Sequence, residues 1–320
     1  MKALGGDCRC AELVTRSRTG SYSIRNPTRP AIPAPRLLSF TMPANRSIDA
    51  HHHLWRYSAS EYEWIDDRMG ALRRDFLPAE FIDELAGAGI DGAVAVQARQ
   101  TLEETEWLLQ LATRHKEIFG VVGWAPIASQ HFASSLDTLA ANPKLIGLRH
   151  VVQAEPQGFL DDQDFNRGIR AMHGTGLVYD LLIAEHQLEE AIRFVDRHPH
   201  QIFVLDHIAK PKIAAGEIEP WRTQMQQLSK RSNVWCKISG MVTEDSWTQW
   251  SIESLRPYLD TVVDAFSAKR LLAGSDWPVC LVASSYAQWW QILRSYFANF
   301  SDDERAGIFG ATAARTYNLK

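Results

Sequence analysis

Eight short apolar runs, alternating with helix-length amphipathic segments, predict an α/β fold in the form of a single (β/α)8 barrel over residues 47–320. Three observations carry this reading. The runs (47–50, 91–97, 120–125, 145–151, 176–183, 201–206, 233–238 and 270–273) are mostly near-continuous and several are β-branched-rich, as parallel strands covered on both faces are. Helical patterns at 78–88, 102–115 and 187–197 lie between them, with Gly87, Gly89, Gly174, Gly176 and Pro199 placed to stop helices where the next strand begins. Eight such units in this length match a barrel of about 250 residues. An open doubly wound sheet would want a glycine-rich turn after its first strand, and residues 49–55 contain no glycine.

Residues 1–46 are rich in Arg, Ser, Pro and Thr without hydrophobic periodicity, and read as a disordered or mis-assigned N-terminal extension. The composition resembles an organelle transit peptide, but Met42 just before the first strand favours an upstream start codon. The extension carries eight Lys or Arg against two Asp or Glu, whereas the remainder carries 26 against 36. An acidic body offers no basic face for nucleic acid. No run of 18 apolar residues occurs, so no membrane span is expected. Cys8, Cys10, Cys236 and Cys280 show no disulfide-scaffold spacing, which suits a reducing, cytoplasmic compartment. The loop at 54–77 holds Trp55, Tyr57, Tyr62 and Trp64 and reads as a lid or binding loop, or as packing over the barrel top. Ser301-Asp302-Asp303-Glu304 reads as a capping box opening a final helix.

In such a barrel the C-terminal strand ends share one face, where chemistry sits. The first offers Asp49, His51 and His53, which a regular strand would project to one side. The second offers Gln97 and Arg99, the third Trp124, the fourth Arg149 and His150, the fifth Asp180. The sixth brings Asp206, His207 and Lys210, the seventh Lys237 and Ser239, the eighth Asp276 with Trp277. Charge buried without partners costs several kcal/mol, roughly, so such a gathering points to function. His51, His53, His207 and Asp276 stand out. They suit one divalent ion that keeps a position open for water, or a metal-free site in which histidines bond a substrate carbonyl and Asp276 takes a proton from water. Arg149 can grip a carboxylate or polyol. Lys210 and Lys237 are further anchors, or Lys237 is ion-paired with Asp206 or Asp180. Gln97, Trp55, Trp124 and Trp277 complete the expected substrate contacts, with Trp64 another ring available to a sugar face.

The motifs Asp49-Ala50-His51-His52-His53-Leu54-Trp55, Gly147-Leu148-Arg149-His150, Val204 to Pro211, Lys237-Ile238-Ser239-Gly240 and Gly274-Ser275-Asp276-Trp277-Pro278 together resemble the amidohydrolase superfamily. The nearer likeness is to its sugar-lactone hydrolases typified by L-fuconolactonase, related to 2-pyrone-4,6-dicarboxylate lactonase, and it covers residues 47–320. The resemblance implies a distorted TIM barrel that hydrolyses a cyclic ester, with His51 and His53 as the His-x-His pair, His207 as the sixth-strand histidine, Asp276 as the eighth-strand aspartate and Arg149 in a segment that contacts substrate. The fourth strand lacks a lysine to carbamylate and the fifth ends in Asp180 rather than histidine. The implied cofactor is therefore one divalent metal, zinc, or none, and the implied partner is a small-molecule lactone. Two other readings stand beside it: a metal-dependent decarboxylase of an aromatic acid, told apart by CO2 release, and a non-catalytic barrel that captures sugar acids.

Overall fold

The computed structural model describes residues 46–320, so the expectations for residues 1–45, including the disordered extension, the Met42 start and Cys8 with Cys10, lie outside the described residues. The elements alternate along the chain: β1 (Ile48–His52), α1 (Pro78–Ala88), β2 (Gly92–Val96), α2 (Leu102–Arg114), β3 (Ile118–Gly123), α3 (Phe132–Ala140), β4 (Leu145–Val151) and α4 (Gln163–Met172). Then follow β5 (Val178–Leu182), α5 (Leu188–Arg197), β6 (Phe203–Leu205), α6 (Trp221–Leu228), β7 (Val234–Ile238), α7 (Ile252–Phe266), β8 (Leu271–Ala273), α8 (Tyr286–Tyr296), α9 (Asp302–Ala306) and α10 (Thr312–Thr316). All eight strands pair in parallel with their sequence neighbours, as the (β/α)8 expectation requires.

Strand residues alternate between two apolar clusters. Val94, Val122, Val178, Val204 and Leu272 face inward together with Tyr317 and Leu319, so the segment after α10 packs into the barrel interior. Their neighbours, such as Ala93, Val121, Tyr179 and Leu205, pack outward in the cluster that includes the helices. The helices begin where side chains supply missing partners: Thr101 caps α2, Asp162 caps α4, and Ser301 with Glu304 forms the expected capping box at α9.

Two irregularities position the chemistry. In β1 the register to β2 shifts between Asp49 and His52, one extra residue in a β-bulge. Ile48 and Ala50 therefore face the inner cluster, and His51 and His53 still point inward past the bulge while His52 stacks outward on Phe81 at 3.9 Å. The expectation that Asp49 projects with His51 fails for this reason. Its carboxylate instead accepts from Ser275 N (2.9 Å), Ser275 Oγ (2.5 Å) and the hydroxyl of Tyr286 (3.1 Å). The second irregularity is the closure. The bonds nearest the site are made not by a ladder between β8 and β1 but by the segment after β8: Asp276 N donates to His51 O (2.8 Å) and His53 N to Trp277 O (2.6 Å).

Candidate active site

His51 and His53 leave β1 with their Nε2 atoms 3.1 Å apart. Asp276 Oδ1 lies 3.3 Å from His53 Nε2, 3.6 Å from His51 Nε2 and 3.9 Å from His207 Nε2. Four side chains drawn from β1 and the ends of β6 and β8 thus converge, as expected. His53 Nδ1 donates to Val96 O at 2.8 Å, which fixes its ring with Nε2 turned toward the site. His207 Nδ1 meets Ser239 Oγ at 2.9 Å.

The turn that presents His207 has four successive non-glycine residues in the left-handed region, His207, Ile208, Ala209 and Lys210, with φ of 50°, 48°, 60° and 48°. Each costs about 1–2 kcal/mol, and the surroundings hold the turn: Trp221 Nε1 donates to Ile208 O at 2.8 Å. Asp276 also has φ of 59°. Strain of this kind persists where neighbouring structure over-determines it and gathers at functional sites. Close under the pair lies Gly240, φ 63°, where a Cβ would stand 2.6 Å from His207 Nδ1 and 3.2 Å from Asp276 Oδ2.

Beneath His51 sits a sealed ionic layer. Lys237 Nζ lies 2.5 Å from Asp180 Oδ2, 3.0 Å from Asp206 Oδ1 and 3.2 Å from His51 Nδ1. Arg149 Nη1 pairs with Asp206 Oδ2 at 3.0 Å and lies 3.4 Å from His51 Nε2, while its Nη2 donates to Gln97 O. Burial pulls the pKa of His51 well below its ordinary value despite Asp206, and pulls His207 down to about 4 despite Asp276 and Asp206. Both are neutral imidazoles near pH 7. Burial would raise Asp276, but His207, the bond from His53 and His51 together hold its carboxyl below the usual range. Asp206 is likewise held ionised: burial opposes this, and Lys237, His51 and Arg149 outweigh it.

A cavity of about 830 Å³ opens above these groups, with His53, Arg149, His207 and Asp276 in its wall. The 54–77 loop contributes Ser60, Glu61, Glu63, Trp64 and Met69, in keeping with its reading as a binding loop. Other expected contacts are corrected. Trp55 and Trp277 are fully buried and absent from the wall, because each packs its ring against Phe76 beneath the loop. Trp124 turns its Nε1 to His150 Nδ1 at 3.3 Å and is also absent from the wall. Gln97 is buried, its amide 3.4 Å from Arg149 O. Lys237 is fully buried in its ion pairs and supports His51 from below rather than meeting substrate. Sequence reasoning missed Thr243, Glu244 and Trp247, which line the wall after β7. Trp247, an aromatic in the segment between strand seven and its helix, was the available signal. His198 is buried, its Nε2 2.8 Å from Asn166 Oδ1.

Nitrogen and oxygen donors around a tetrahedral ion with bonds of about 2.0–2.1 Å stand about 3.4 Å apart. The 3.1, 3.3 and 3.6 Å edges of the His51, His53 and Asp276 triangle fit that figure. His207 groups instead with His51 and Asp206.

Parallel strands, inward histidines and a strand-eight aspartate at the mouth define a hydrolase-type (β/α)8 barrel. Residues 48–319 match the family model described as amidohydrolase, and the chain belongs to that family. It is 37% identical over 284 residues to an L-fucono-1,5-lactonase of Burkholderia multivorans, spanning 85% of this chain and 96% of that protein. An L-fucono-1,5-lactonase of Burkholderia ambifaria is 34% identical over 277 residues, 85% of this chain and 95% of the other. Among solved structures, a zinc-bound amidohydrolase from Burkholderia multivorans superposes with a TM-score of 0.81 at 37% identity, covering 86% of this chain and all of that one.

Proposed function

We propose that the protein opens a sugar-derived lactone, an aldonolactone such as L-fucono-1,5-lactone, by attack of water on the ring carbonyl. The observation that carries this reading is the ionised Asp276 set among three imidazoles at the floor of the cavity. Asp276 accepts the proton of the attacking water. The negative charge that grows on the carbonyl oxygen is met by His207, whose bond to Ser239 fixes its ring. His51 Nε2, His53 Nε2 and Asp276 Oδ1 would hold a divalent ion, which when bound polarises a carbonyl and acidifies water.

The charges of the wall favour a neutral polyol over a polycarboxylate. Arg99 is paired with Glu61 (2.9 Å), Lys210 with Glu244 (2.8 Å) and Arg149 with Asp206. A substrate carboxylate would find every lysine and arginine of the wall already neutralised. Trp64 and Trp247 offer faces to the apolar side of a sugar ring, and Gln153, whose Oε1 has no protein partner, a hydroxyl acceptor. The test is a pH-indicator assay on a panel of aldonolactones with wild type and Asp276→Asn. The wild type should open at least one neutral lactone and the variant lose about 10³-fold or more in kcat. Near-full turnover by the variant on every lactone the wild type opens would sink the assignment, and CO2 release from a carboxylated aromatic would indicate a decarboxylase.

A further inference from the structure

Two ion pairs stand in the cavity wall, and each joins neighbouring loops. Lys210, after β6, meets Glu244, after β7, at 2.8 Å; Arg99, after β2, meets Glu61, after β1, at 2.9 Å. The strands follow one another in order around the ring, so the pairs lie on nearly opposite sides of the mouth. Their backbones are fixed. Lys210 N donates to His207 O at 2.8 Å within the left-handed turn, Ala214 N donates to Glu244 O at 3.0 Å, and Arg99 N donates to Glu104 Oε2 at 2.7 Å. The side chains of Lys210 and Glu244 are only 22% and 24% exposed, which separates them from solvated surface pairs that contribute little.

With Glu63 and Asp276, the wall holds four carboxylates against the three cations Arg99, Arg149 and Lys210. Arg149 is engaged by Asp206 beneath. An anion that reached Lys210 would stand about 4–6 Å from the Glu244 carboxylate, close enough for repulsion to cancel most of the attraction. A hydroxyl meets no such conflict. An ammonium has three protons to give and a carboxylate has spare lone pairs, so a polyol can bond to both members of a pair at once. We propose that Glu61 and Glu244 are specificity-determining residues: each occupies a cation that would otherwise hold a carboxylate, so the cavity admits neutral lactones and turns away those bearing an acid group. This deepens the lactonase reading and rests on it for the reaction, but not for the choice between neutral and anionic ligands.

The first measurement is calorimetric titration of the full chain with D-galactarate, a six-carbon polyol with a carboxylate at each end, which needs no turnover. Glu244→Gln, which keeps the shape and removes the charge, should bind galactarate about 10–100-fold more tightly than wild type. Glu61→Gln, at a side chain 43% exposed, should gain about 3–10-fold. Adding Lys210→Gln to the first variant, or Arg99→Gln to the second, should return the affinity to the wild-type value. The second measurement compares a neutral aldonolactone that the wild type opens with the same ring whose terminal hydroxymethyl is oxidised to a carboxylate. The ratio of kcat/KM, acid over neutral, should rise in each single variant by similar factors. A gain of this kind does not arise from a damaged fold, and the two glutamates lie on separate loops, so a variant that folds poorly leaves the other to decide. Equal galactarate affinity in wild type and the folded variants overturns the proposal, as does a tightening that survives removal of the paired cation. A wild type that opens no lactone defeats the lactonase reading, while the titration still decides the role of the two glutamates.

Discussion

Gly240→Ala probes the site with one carbon. The new Cβ would stand 2.6 Å from His207 Nδ1, where ordinary contact begins at 3.4 Å. His207 or the β7 turn must therefore retreat by about 0.8 Å. The ring is pinned by Ser239 on one side and rises from a left-handed turn on the other, so the shift is passed to Nε2 beside Asp276. A misplacement of about 1 Å costs roughly 10²-fold in rate. Alanine at φ 63° adds about 1–2 kcal/mol of backbone strain, a fall in Tm of roughly 2–8 °C. Steady-state kinetics with a lactone opened by the wild type, alongside a melting curve, separates the two effects. A variant that melts a few degrees early but retains kcat within about threefold would refute the claim that this glycine exists for its neighbours' sake.

Two further outcomes follow from groups around the site. Glu104 is buried and accepts from the amides of Ala98 (3.0 Å) and Arg99 (2.7 Å); burial raises its carboxyl from 4.5 to about 7, against those bonds and the charges of Arg99 and Arg149. A pKa raised on folding contributes stability below the unfolded value that is lost as pH climbs through about 7, here on the order of 3 kcal/mol. Glu104→Gln should therefore flatten the decline of Tm between pH 5 and 8, and an unchanged slope by scanning calorimetry would count against this. Zinc at about 100-fold above its dissociation constant should raise the wild-type Tm by roughly 5–10 °C. His53→Asn, which removes one corner of the triangle, should abolish that rise, and an equal rise in the variant would place the ion elsewhere.

Much of the barrel could be read from the chain because parallel strands with both faces covered leave near-continuous apolar runs, and because strand ends carry the polar residues. His51, His53, His207 and Asp276 were legible on that logic, and they converge. What escaped was local geometry without a residue signature. The β1 bulge contains no glycine, so the alternation rule carried Asp49 to the wrong side. The left-handed turn at His207–Lys210 is likewise unmarked, since its conformation is imposed by tertiary contacts such as the Trp221 bond. Lys237 lies within β7 rather than past its end, which puts its ammonium below the histidines instead of above them. For the tryptophans, sequence shows that rings are available but not which will be used for packing. Trp55 fills the space under the loop while Trp64, 43% exposed, reaches the cavity.

The way the barrel is joined ties durability to chemistry. The two amide bonds that fasten its last turn to its first strand run through the very residues that carry the imidazoles and the carboxylate. The halves of the reaction centre cannot drift apart while the cylinder stays shut, and whatever unfastens that join dismantles the catalyst at the same stroke.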